Sequence, residues 1–236
     1  MNEINNNKDA QKIESVTHIS FFHILSILFC FLFILSNISA SKVSIISGVF
    51  IDAGTAFFPL LYIINDITTE VYGFKASRKV IWFAVVANIL FTFSLAFIVN
   101  LSPSQNFASN TSFDILFNFT PRILVASVSS FLIGEYINSV ILSVSKVKYS
   151  GKLFAFRAIF STFVGVTIES SIFSVIAFYG VVPAEELVNM SIWLITIKVL
   201  YELISIPITI RFIKYLKLRE NIDHYDYNTK FNILPF

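Results

Sequence analysis

Apolar residues run along this chain in long blocks, separated by short polar stretches rich in lysine and arginine. The blocks can be compared directly with a bilayer, because about 20 apolar residues in a helix cross roughly 30 Å of hydrocarbon. Six stretches reach that length: 19–38, 53–72, 80–101, 123–144, 153–179 and 192–213. Phe and Ile are spread all round them rather than alternating between two faces, which suits helices better than the strands of a membrane β-barrel. The pattern therefore predicts an all-α, polytopic membrane protein with six transmembrane helices. Residues 1–18 read as a polar, disordered leader, 19–214 as the transmembrane domain and 215–236 as a tail. The first block is long and lacks a small-x-small cleavage site, so it is expected to be a retained helix rather than a signal peptide.

The basic residues orient these spans. Lys8 and Lys12 precede the first; Lys75, Arg78 and Lys79 separate the second from the third; Lys146, Lys148 and Lys152 separate the fourth from the fifth; Lys214, Lys217, Arg219 and Lys230 follow the sixth. The opposite loops hold only Lys42 and, at the lip of the fourth span, Arg122. By the positive-inside rule both termini are expected in the cytoplasm, with the protein multi-pass in the cell's inner (plasma) membrane.

Composition agrees with lipid as the main solvent. The 236 residues are 56% hydrophobic and 14% charged, with a mean hydropathy of +0.75, against about 25% charged residues in a soluble domain. A net charge of +2 gives no reason to expect a nucleic acid partner. The lone Cys30 excludes an intramolecular disulfide, and no Cys/His cluster suggests a metal. Neither G-x-S-x-G, H-E-x-x-H nor a glycine-rich phosphate loop is present. No catalytic residue and no cofactor are therefore expected; homo-oligomerisation is left open.

Charged side chains inside a span cost roughly 2.5–3.5 kcal/mol each on insertion scales, so they normally face a bundle interior and are candidates for function. Asp66 and Glu70 lie in the second span, Glu135 in the fourth, Arg157 and Glu169 in the fifth, Lys198 and Glu202 in the sixth. The acids outnumber the bases, which favours protons, cations or ligands rich in N–H donors. Asp66 and Glu70 are one turn apart and cannot neutralise each other; they need Arg78 or Lys79 across the turn, or Arg157 from another helix, in a structural and gating network. Lys198 and Glu202 share a face and can form an intrahelical ion pair. Glu135, Glu169 and Glu202 approach mid-membrane, the usual depth of a transporter site. Glu169 has no base three or four positions away, which makes it the first choice for binding, with Glu135 or Glu202. Asn138 and Thr162 accompany these acids, either as ligand contacts or simply as interhelical hydrogen bonds. Pro59 and Pro207 are expected to kink their helices.

The residues also carry a resemblance. The stretch NDITTEVYGFKASRKVIW (65–82) resembles the signature of the queuosine precursor transporter family, also known as the vitamin-uptake-transporter-like group. Likeness continues in RILVASVSSFLIGEYINS (122–139), in KVLYELISIPITIRF (198–212) and in the tail ENIDHYDYNTKFNILPF (220–236). In the fifth span the family's G-E/Q-x-x-D-S is replaced by G-V-T-I-E-S, with Val166 at the first polar position and Glu169 where the family has aspartate. The resemblance implies a six-helix carrier importing 7-deazaguanine compounds for salvage into tRNA queuosine. It also implies a fold like the substrate-binding subunits of energy-coupling-factor vitamin transporters. The expected partners are then a small purine-like substrate and membrane lipid.

Such a ligand suits buried acids. A guanine-type edge presents an N–H and an NH₂ side by side, and one carboxylate can accept both. Competing readings are a vitamin-binding subunit that works with a separate ATPase, an intramembrane enzyme using the mid-membrane acids as general acid and base, and a membrane scaffold without transport.

Overall fold

The computed structural model describes residues 20–40, 42–46, 49–102, 117, 121–180 and 183–234. The leader 1–18 and the loop 103–116 lie outside the described residues. Helix α1 (Phe21–Ala40) leads into a two-stranded antiparallel hairpin, β1 (Val43–Ile46) with β2 (Val49–Asp52), in which Val43 pairs with Asp52 and Ile46 with Val49. A 3-10 turn (Ala53–Ala56) and five further helices follow: α2 (Phe58–Tyr72), α3 (Phe74–Val99), α4 (Pro121–Lys148), α5 (Phe154–Phe178) and α6 (Ala184–Glu220). All except α2 are long and apolar enough to cross a membrane.

The expected second span, 53–72, is thus realised differently. Its first part is the 3-10 turn, and only 15 residues are α-helical, about 22 Å at 1.5 Å per residue. Such a short element is tolerated because α2 packs against α1, α3, α4 and α6, and irregular backbone at membrane depth is stable where protein covers it. Pro59 does not kink this helix: it occupies the first turn, where no hydrogen bond is lost. Pro207, by contrast, is internal to α6.

Burial runs opposite to that of a water-soluble bundle. Ile27, Phe93, Phe97, Ile204 and Ile208 face outward, whereas Asn65, Asp66, Thr68, Thr69 and Glu70 of α2 are buried. The outward residues match lipid, and the polar ones have only other helices to satisfy them. Apolar packing completes the interior: Phe29 and Phe33 of α1 meet Leu61, Val80, Ile81 and Phe131 in one cluster, and Leu25, Ile67, Val71, Ile213 and Leu216 form another.

Helices α4 and α5 cross where each has a glycine. A Cβ on Gly134 would lie 2.7 Å from the Glu169 Cβ, and one on Gly165 would lie 2.9 Å from the Gly134 carbonyl oxygen. This close approach places Glu135, Asn138 and Glu169 at one level.

The tail returns across one end of the bundle. Glu220 accepts hydrogen bonds from the Phe21 N–H at 2.6 Å and the Tyr72 hydroxyl at 2.6 Å, capping α1. Asp226 accepts from the Phe74 N–H at 2.8 Å and from Ser143 at 2.6 Å, so a tail carboxylate caps α3. Arg78, Trp82 and Tyr136 donate to the carbonyls of Asn232, Ile233 and Phe231. Gly73 makes this closure possible. At φ +86° and ψ 170° it occupies a region almost reserved for glycine, and a Cβ there would run into the His224 ring.

Gly73→Ala is expected to lower stability by about 1–3 kcal/mol from backbone strain, with the collision against His224 adding to it. Thermal melting of the purified variant in detergent should show the loss; an unchanged midpoint would mean that the turn and the tail are not tightly joined.

Candidate functional site

Two polar layers occupy the interior. The first surrounds Glu70, near the end of α2. Arg157 Nη1 donates to Glu70 Oε2 at 2.9 Å and Lys217 Nζ to Oε1 at 2.8 Å, while Lys146 Nζ lies 3.8 Å from Oε1. Lys146 uses its own protons on the Glu70 carbonyl, on Asp223 Oδ1 at 2.6 Å and on the His224 carbonyl at 2.7 Å. Arg157 also donates to the carbonyls of Lys152 and Gly151, pinning the α4–α5 turn. One carboxylate thereby ties α2 to α4, α5 and α6. Partial burial of Asp223 works against its ionised form, yet the hydrogen bonds from Lys146 and Lys217 outweigh it and hold this carboxyl below its ordinary value.

The second layer lies one turn further in. Asp66, Glu135, Glu169 and Glu202 all sit within about one turn of the middle of their helices, and all are buried. Asn138 Nδ2 donates to Asp66 Oδ1 at 2.8 Å. Asn65 donates to Glu135 Oε2 and to Ser139 Oγ, and accepts from Ser77, so α2, α3 and α4 are joined by side chains. Glu169 accepts from the Tyr62 hydroxyl at 2.6 Å and from Lys198 Nζ at 2.9 Å. Lys198 Nζ also lies 5.2 Å from the centre of the Phe58 ring and 5.4 Å from that of Tyr62.

Several sequence expectations change here. Arg78 does not reach Asp66 or Glu70. The Gly73 turn sends α3 back along the bundle, and the stripe Phe74, Arg78, Trp82 faces the tail, where Arg78 bonds Asn232 and covers the Phe74 ring. Arg157, the alternative partner, holds Glu70. Asp66 and Glu70 thus belong to different layers, although one turn apart. Lys198 does not pair with Glu202 along its own helix; it crosses to α5 and pairs with Glu169, whose position is therefore not the unpaired one. Asn138 bonds Asp66 beside the other inner acids, whereas Thr162 is buried on α5 about two turns from Glu169.

The consequence is a surplus of acceptors. Asp66 Oδ2, Glu135 Oε1, both oxygens of Glu202, Asn138 Oδ1, Thr162 Oγ1 and Ser170 Oγ have no hydrogen-bond partner among the described residues. Asp66, Glu135 and Glu202 lie close enough to interact electrostatically. A buried acceptor left unmade costs about 1–3 kcal/mol, more when charged, so the layer has capacity for donors: protons, or a ligand with several N–H groups. It offers a ligand acceptors from α2, α4 and α6 at once.

Sequence reasoning missed Tyr62, Asn65, Ser77 and Ser139 as members of this layer. A signal existed for Tyr62, which is one turn from Asp66 on the same face. Lys146, Lys217 and Asp226 were visible only as loop or tail charges, since their partners are remote in the chain.

The model of the family described as "Putative vitamin uptake transporter" matches residues 52–212. The chain is 25% identical over 173 residues to the "Probable queuosine precursor transporter" of Bacillus subtilis (strain 168), across 73% of this chain and 76% of that protein. It is also 25% identical over 141 residues to the "Probable queuosine precursor transporter" of Haemophilus influenzae, across 57% of this chain and 59% of that protein. No solved structure matches.

Glu70→Gln would leave Arg157, Lys146 and Lys217 facing one another without their shared anion. Breaking a buried pair in this way costs about 3–5 kcal/mol. A matching fall in the yield and melting temperature of the purified variant is expected, with part of it recovered by adding Arg157→Gln. Equal stability of Glu70→Gln and the unaltered protein would remove this carboxylate from its central role.

Proposed function

The chain belongs to the vitamin uptake transporter family, a family of membrane transporters, and on that premise we propose that it imports 7-deazaguanine precursors of queuosine, such as 7-cyano-7-deazaguanine and 7-aminomethyl-7-deazaguanine. The observation that carries this reading is the surplus of buried acceptors at the middle of the bundle. A guanine-type edge brings N1–H and the exocyclic NH₂ in parallel, and a carboxylate with both oxygens unoccupied takes both with charge-assisted bonds. Glu202 is that carboxylate. Glu135 and Asp66 each offer one further oxygen, Asn138 and Thr162 offer neutral acceptors, and Glu169 serves by holding Tyr62 and Lys198 in place. An adenine-type edge, with an acceptor where guanine has N1–H, would meet repulsion from the same oxygens.

The relatives in Bacillus subtilis and Haemophilus influenzae, whose printed names specify queuosine precursors, support the same substrate class. The orientation rests on the basic residues. Lys75, Lys79, Lys148, Lys152, Lys214 and Arg219 gather at the end of the bundle closed by the tail, and the positive-inside rule puts that end in the cytoplasm. On this reading the Glu70 layer and the tail form the inner barrier, and a ligand released inward passes them. The inner membrane is the corresponding location, with both termini inside.

Cells unable to make 7-deazaguanines should accumulate the labelled base only when this gene is present; accumulation independent of the gene would overturn the reading. Glu202→Gln replaces one acceptor by a donor and is expected to weaken binding by about 1.5–3 kcal/mol, roughly ten- to a hundredfold, without loss of folded protein, since it removes a charge from the bilayer. Binding to the purified variant checks this, and an unchanged affinity would take Glu202 out of the site.

A further inference from the structure

Lys198 is held in an unusual way for a lysine within a membrane bundle. Its ammonium does not reach the bundle surface or its helical neighbour Glu202. It sits against Glu169 Oε1 at 2.9 Å, with the Phe58 ring centre at 5.2 Å and the Tyr62 ring centre at 5.4 Å. The Tyr62 hydroxyl takes the other oxygen of Glu169 at 2.6 Å, and Lys198, Glu169 and Tyr62 are all buried. A carboxylate with aromatic rings within about 6 Å of the cation is the chemistry by which proteins recognise free ammonium ligands. Here the ammonium is supplied by the chain itself, within electrostatic range of Glu135, one of whose oxygens remains open.

We propose that Glu169, Phe58 and Tyr62 form an ammonium-binding box that Lys198 fills from within, and that Lys198 thereby sets the charge of the ligand the inner layer accepts. A substrate with an ammonium arm would have to displace Lys198 to reach Glu169, or else take an open acid that the purine-like edge otherwise uses, within range of the Lys198 charge. A neutral substituent meets neither obstacle. The acids that remain open then serve the purine-like edge, while the acid best arranged for a cation is already occupied. The box itself stands on geometry alone; the consequence for selectivity rests on the substrate class proposed above.

Two measurements test this. In the first, the purified protein is titrated with 7-cyano-7-deazaguanine and with 7-aminomethyl-7-deazaguanine. The neutral base is expected to bind at least tenfold more tightly, and equal or tighter binding of the aminomethyl base would overturn the selectivity role. In the second, Lys198→Ala is melted with and without n-propylammonium chloride, with potassium chloride at the same ionic strength as control. A rise in the midpoint with n-propylammonium that is absent from the double variant Lys198→Ala/Glu169→Gln is the expected result. No specific rise in Lys198→Ala, or an equal rise in both variants, would overturn the box. The same variant should narrow or reverse the preference between the two bases; an unchanged ratio would again count against Lys198. Should neither base bind the unaltered protein, the substrate class fails and the selectivity role with it, whereas the n-propylammonium result still decides the box.

Discussion

An ionised carboxylate cannot stand alone in a low-dielectric bundle, and the arrangement of this molecule follows from how Glu70 meets that constraint. Arg157, Lys217 and Lys146 reach it from α5, α6 and α4. The charge cluster fixes the end of α2, a helix too short to span a bilayer by itself. With that end held, Asp66 and Asn65, roughly one turn away, are presented to Asn138, Glu135 and Ser139 of α4. The anchoring layer and the candidate binding layer are therefore successive turns of the same helix.

The two layers differ in their electrical accounts. Around Glu70 the cations are sufficient, and every hydrogen of Lys146 finds an oxygen. Around Glu202 they are not: Lys198 is committed to Glu169, and Asp66, Glu135 and Glu202 keep unfilled oxygens. A structural network gains from complete satisfaction, whereas a binding site must keep part of its capacity open. That contrast separates Glu70 from Asp66, Glu135 and Glu202, residues that look alike in a list of intramembrane acids. It also favours a ligand that brings donors rather than one that brings negative charge.

The tail contributes more than its polar composition suggests. Glu220 at the end of α6 and Asp226 of the tail cap the N-termini of α1 and α3, helix ends that would otherwise leave unsatisfied N–H groups. Residues 221–234 thus bind to the bundle through backbone carbonyls and carboxylates, and through the edge-to-face contact of Phe231 with Phe74 at 4.9 Å. This strap covers the same end of the molecule at which the Glu70 layer lies.

Much of the architecture was legible in the chain itself. The apolar blocks 19–38, 123–144 and 153–179 correspond closely to α1, α4 and α5, because a bilayer imposes a length that composition alone reveals. The same cost argument identified the buried acids, and Glu135, Glu169 and Glu202 lie near the middle of their helices. Pairing was a different matter. Whether Lys198 would turn to Glu202 on its own helix or to Glu169 on the next, and whether Glu70 would take Arg78 or Arg157, depended on interhelical distances that no spacing rule contains. The hairpin was equally invisible, and so were the short α2 and the capping tail, which are held in place by other helices. The sequence by itself determined which groups must be kept from lipid; the tertiary structure decided which of them neutralise one another and which keep unfilled oxygens, because a buried charge is settled by whichever partner the packing brings within hydrogen-bond reach.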